Sequence, residues 1–174
     1  GGTAAAGALV QAFKSPKPMV KEAAFTAALG CAEAMLQAQG AAPERIINAL
    51  LAENPSASIR RAAAILTIAA SGNNARAALL DILKNGDEVV QEAALSKIKD
   101  VFPAGEIGQV TPLLPDLPDG SRIKLIEVLS GFPGELVRPA ILGRLRSDLV
   151  YERIAALKAL EFVGDASVIP ALAE

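Results

Sequence analysis

Apolar and polar positions along this chain recur with a step of 31 residues, and within each step they follow helical spacing. Arg60, Gln91, Arg122 and Arg153 occupy one slot, Ala64, Leu95, Ile126 and Leu157 a second, and Leu79, Val110, Ile141 and Leu172 a third. The alanine pair Ala62-Ala63 returns as Ala93-Ala94 and Ala155-Ala156, with Lys124-Leu125 in its place one step earlier. A period in this range marks stacked supersecondary units. Inside each unit the apolar positions fall three and four apart, which predicts two helices per unit.

The predicted elements follow from the breakers between the periodic stretches. A first helix runs from Thr3 to Phe13 and is stopped by Lys14-Ser15-Pro16-Lys17-Pro18. A long helix from Pro18 toward Gln39 turns Val20, Ala23, Ala24, Ala27, Ala28 and Cys31 inward, and a short one after Pro43 buries Ile46, Ile47, Leu50 and Leu51. Regular pairs follow: Ser58–Ala70 with Ala75–Lys84, Asp87–Val101 with Glu106–Leu114, Asp119–Ser130 with Glu135–Arg146, and Leu149–Val163 with Asp165–Glu174. Pro139 and Pro170 keep the same step, each early in a second helix where a lost N–H costs least. The first unit is out of frame: Ala24 to Ala63 spans eight residues more than the period, the excess falling around Leu36 to Ala42. Asp87 and Asp119 stand at helix starts, where an acid caps free N–H groups.

The stretch from Glu152 to Asp165, Glu-Arg-Ile-Ala-Ala-Leu-Lys-Ala-Leu-Glu-Phe-Val-Gly-Asp, resembles the HEAT-like repeat family in its short form, named after phycobilisome lyases. Ile59 to Leu66 is a second, weaker likeness. The resemblance implies an all-α fold, a right-handed α-α superhelix of about five two-helix repeats, with first helices outside and second helices lining a concave face. One domain over residues 1–174 is expected. No single hairpin buries its apolar face alone, so neighbours stack, and alanines at the contacts let helix axes approach to about 8 Å.

Composition narrows the chemistry. The chain has 174 residues, 52% of them hydrophobic, with a net charge of −2 and a pI near 5.3. Nothing in that balance attracts nucleic acid or an anionic membrane, and no charge-free stretch reaches the roughly 18 residues of a membrane span. The charges are nonetheless segregated: seven acids against Lys97 and Lys99 between Gly86 and Asp119, then a basic excess from Gly120 to Leu160. Histidine is absent, which removes Ser-His and Cys-His nucleophile pairs and the His-Glu iron sites of HEAT-like hydroxylases. Cys31 is the single cysteine and lies on an apolar stripe, so neither a disulfide nor a Cys-based metal site is expected, and the compartment, cytoplasmic or periplasmic, stays open. No cofactor is implied. A repeat-built DNA glycosylase needs a basic groove and aromatics for the lesion, yet there is no Trp and one Tyr.

These readings leave a non-enzymatic scaffold that binds a protein or another domain of its own chain along the concave face, through Asp81, Lys84, Gln109, Arg144 and Arg146. Arg60, Gln91, Arg122 and Arg153 form a structural ladder, stems packed and heads on neighbouring carbonyls or carboxylates. A bilin-lyase-like or glycosylase-like enzyme, and a structural spacer in a larger enzyme, are the rival classes. The start at Gly-Gly-Thr reads as a piece of a longer chain. Ala4, Ala5, Ala8, Leu9 and Phe13 at one end, with Val168, Ile169 and Leu172 at the other, suggest missing neighbours or end-to-end self-association.

Overall fold

The computed structural model describes residues 2–38 and 43–172, with side chains for 7–38 and 43–171. Among these residues every regular element is helical. In chain order they are α1 (Gly2–Ala12), α2 (Pro18–Gln37), α3 (Glu44–Leu51), α4 (Ala57–Ala70), α5 (Ala75–Asn85), α6 (Glu88–Leu95), α7 (Ile98–Val101), α8 (Asp119–Leu129), α9 (Gly134–Leu142), α10 (Val150–Val163) and α11 (Ile169–Leu172). Contacts divide the chain into two compact units, Gly1–Ala78 and Leu79–Glu174.

In the first unit α2 packs on α1, α3 and α4. Its buried stripe is Ala24, Phe25, Ala28 and Ala32, whereas Val20, Ala23 and Ala27, expected inward, are exposed. The aromatic ring of Phe25 sets this rotation. It sits 5.1 Å from the Phe13 ring, and both are sealed in the core, so Phe13 is not the bare apolar end that the sequence suggested. Cys31 is half-buried against the same cluster. Ile46, Ile47 and Leu50 are buried as expected, and Leu51 only partly. Asn54 closes α3 with φ +48°, a left-handed conformation that asparagine tolerates. Of the out-of-frame stretch, Leu36 and Gln37 belong to α2, while Gly40, Ala41 and Ala42 lie outside the described residues.

In the second unit α8 packs between α6 and α10, and α9 packs on α10. Leu79, Val110 and Ile141, one step of the period apart, are all fully buried, as are Ala94, Leu125 and Ala156. The side chain of Leu172, next in the first series, lies outside the described residues.

Three expected helices differ. The stretch from Asp87 to Val101 breaks at Ser96-Lys97 into α6 and α7, because the Ser96 hydroxyl bonds back to the Ala93 carbonyl and competes with the helical ladder. Glu106 to Leu114, expected as an α-helix, forms two 3-10 segments, Ala104–Gln109 and Thr111–Asp116. Gly105 and Gly108 weaken helix there, and Pro112 and Pro115 remove two N–H donors. Bonds over three residues take over, from Val110 N to Ile107 O and from Leu113 N to Val110 O. The closing helix from Asp165 likewise begins as a 3-10 turn, Ala166–Val168. Asp87 caps α6 by accepting from Val89 N and Val90 N. Asp119 does not cap α8, since it sits inside the first turn behind Pro118 and pairs instead with Arg122.

Candidate binding site

The loop from Gly143 to Leu149, between α9 and α10, forms one wall of a polar cleft of about 390 Å³. Asp119 and Arg122 of α8 and Glu152 of α10 complete it. Arg122 reaches the cleft because its head is fixed from several sides. Its NH1 donates to Leu117 O at 3.2 Å, its NH2 meets Asp119, and its Nε donates to Glu152 Oε2 at 2.9 Å.

Glu152 is the centre of the arrangement. It is 1% exposed, and such a charge is tolerated inside a protein only when it is paired. Oε2 accepts from Arg122 and from Ser147 Oγ at 2.8 Å. Ser147 also receives Leu149 N on its hydroxyl and Arg153 NH1 on its carbonyl, tying the loop to the start of α10. The second oxygen, Oε1, stands 3.7 Å from Arg144 NH1. Oε1 and the buried Arg144 Nε have no hydrogen-bond partner among the described residues. Both atoms are sealed from solvent, and the ion pair between the two side chains is what compensates them.

Arg144 and Arg146 thus share one cleft, and the ladder residue Arg122 joins them. The other expected binding residues stand elsewhere. Asp81 is exposed on α5 and accepts from Asn85 Nδ2, and Gln109 donates to Glu106 in the first 3-10 segment. Lys84 borders a second, smaller hollow with Leu83, Leu113, Asp116 and Leu117. In the ladder, Gln91 Nε2 donates to Leu83 O and Gly86 O, and its Oε1 accepts from Ser121 Oγ at 2.9 Å. Arg122 repeats this toward Glu152, and Arg153 takes the Ser147 carbonyl. Arg60, on α4, is half-buried and has a partner.

Beside the cleft, on the α8-facing side of α10, lies a shallow apolar groove of about 380 Å³. Ile123 forms one wall, and Ile154, Ala155, Ala159 and Phe162 the other, with Tyr151 at its end. Tyr151 is 76% and Phe162 73% exposed, unusual for large apolar side chains on a small domain. Sequence reasoning singled out neither these rings nor Glu152 and Ser147. The signal for Glu152 lay in its slot, because Ile59, Val90, Ser121 and Glu152 change from apolar to charged at a constant step.

Among the described residues no group of three or more metal-ligating side chains converges, and no helix is long and apolar enough to cross a membrane. Comparison with known protein families, with curated proteins and with solved structures returns no match.

Proposed function

We propose that this chain is a non-enzymatic helical-repeat scaffold that binds a protein segment, held in the cleft between α8 and α10 and along the neighbouring groove. The single observation that carries this reading is a polar cleft of mixed charge, lined by Asp119, Arg122, Arg144, Arg146 and Asp148, together with an apolar groove on the same pair of helices. The cleft offers both donors and acceptors to the N–H and carbonyl groups of a peptide backbone. A simple anion fits less well, because Asp119, Asp148 and Glu152 stand among Arg122, Arg144 and Arg146. Exposed Tyr151 and Phe162 supply rigid apolar contact area next to that polar anchor, the combination that protein interfaces favour. The lack of histidine in the whole chain supports the non-enzymatic reading.

Selection from a displayed-peptide library against the intact chain tests it. Enriched peptides are expected to lose about tenfold or more in affinity with Arg144→Ala and with the Arg144→Ala/Arg146→Ala pair, one charge-assisted hydrogen bond being worth that much. Binding that survives both changes would move the site away from the cleft. Uptake of a bilin, or salt-sensitive retention of duplex DNA, would replace the scaffold reading with an enzymatic one.

A further inference from the structure

A different face of α10 carries a second assignment, independent of the cleft. The slot occupied by Leu95 in α6 and Ile126 in α8 is 0% exposed, whereas Leu157 in α10 is 49% exposed. The three residues are one period apart and equally apolar, so the difference lies in their neighbours. The helices α6 and α8 each have a following first helix, α8 and α10, packed against them. No such helix follows α10 among the described residues. Its α8-facing side is marked by Ala155 and Ala159, which line the groove with Ile123. Val150, Arg153 and Leu157, three and four positions apart, form a separate stripe, with Val150 and Leu157 half exposed.

The polar ladder points the same way. Gln91 engages Ser121, and Arg122 engages Glu152, each reaching the residue 30 positions ahead in the first turn of the next first helix. Arg153 is the next rung. Its NH1 holds the Ser147 carbonyl, as Arg122 holds that of Leu117, and the forward-reaching part of its head meets no carboxylate or hydroxyl among the described residues.

We infer that the Val150–Arg153–Leu157 stripe is a docking surface for a further two-helix hairpin of the same repeat type. The interface it completes is the one already built twice, between α6 and α8 and between α8 and α10. The incoming leading helix must bring a carboxylate or hydroxyl in its first turn for Arg153, as α8 brings Ser121 to Gln91 and α10 brings Glu152 to Arg122.

The probe is therefore a copy of residues 144–174 joined to the C-terminus of the intact chain, which continues the step of 31 in register. Hydrogen exchange of residues 150–163 is read by mass spectrometry, with and without the extension. The extension is expected to slow exchange by about tenfold or more, because a covered helix opens less often than an open-flanked one. Leu157→Asp in the extended chain removes the slowing, while in the parent chain it leaves exchange of α10 unchanged. Arg153→Glu weakens the slowing, and Glu→Arg at the copied Glu152 position restores it. Failure of the extension to slow exchange, or a slowing indifferent to both Leu157 and Arg153, would overturn the inference. Slowing in the parent chain on raising its own concentration, abolished by Leu157→Asp, would assign the stripe to a second copy instead. Neither result touches the cleft, whose test uses Arg144.

Discussion

Glu152 concentrates the electrostatics of the second unit in one carboxylate. Removing it as Glu152→Ala leaves Arg122 and the buried part of Arg144 without their counter-charge. A loss of about 3–5 kcal/mol in chemical denaturation is expected, against a smaller loss for Glu152→Gln, which removes the same charge but keeps the side-chain volume and an acceptor for Arg122 and Ser147. At the other end of α10, Asp165 accepts from the hydroxyl and the backbone N–H of Ser167 and pairs with Arg138 NH1 at 2.8 Å. The Ser167 hydroxyl, then the Ser167 N–H, with Arg138 adding to both, hold its carboxyl below the usual carboxylate value. A lowered folded-state value means that this contribution is complete above the ordinary carboxylate range and is lost as pH falls through the lowered one. The acid limb of a stability–pH curve should accordingly flatten in Asp165→Asn relative to the parent, and an unchanged limb would count against the pairing. The capping role of Asp87 was legible in the sequence because a cap needs only its own following turn. Glu152 was not, since its partners Arg122 and Arg144 are brought to it by tertiary packing rather than by neighbouring sequence.

Helix boundaries were legible where a single residue decides them and obscure where two weak preferences compete. Ala57–Ala70, Ala75–Asn85 and Val150–Val163 match their expected spans closely, being bounded by Ser, Gly, Asn or Asp. From Ala104 to Asp116 the apolar spacing of Ile107, Val110 and Leu114 still reads as helix, and all three are buried. There the glycines and prolines changed the hydrogen-bond step without moving the buried face, which periodicity alone does not reveal. The inward stripe of α2 was misread for a related reason, since alanines are nearly neutral about burial and Phe25 decides the rotation. One element depends on a close backbone approach. At Gly134, the first residue of α9, a Cβ would stand 2.5 Å from Val163 O at the end of α10, where Arg138 Nε also donates. Gly134→Ala should therefore cost about 1–3 kcal/mol through forced separation of α9 from α10, seen as a lowered denaturation midpoint with an unchanged slope.

At the scale of the whole molecule, the chain has neither histidine nor a disulfide pair to lean on, and its second unit is held by buried aliphatics together with a ladder of polar heads. Thermal unfolding in excess chelator is expected to superimpose on unfolding without it, and a midpoint shift of several degrees would reveal an ion that contributes to folding. The ladder also has a direction. Gln91 finds Ser121, and Arg122 finds Glu152, only after some 30 further residues have been added to the chain. Until that stretch is in place, Gln91 Oε1 and Arg122 Nε lack these partners. A chain in which α8 or α10 packs out of register brings Gln91 no hydroxyl and Arg122 no carboxylate, so the ladder rewards one register alone.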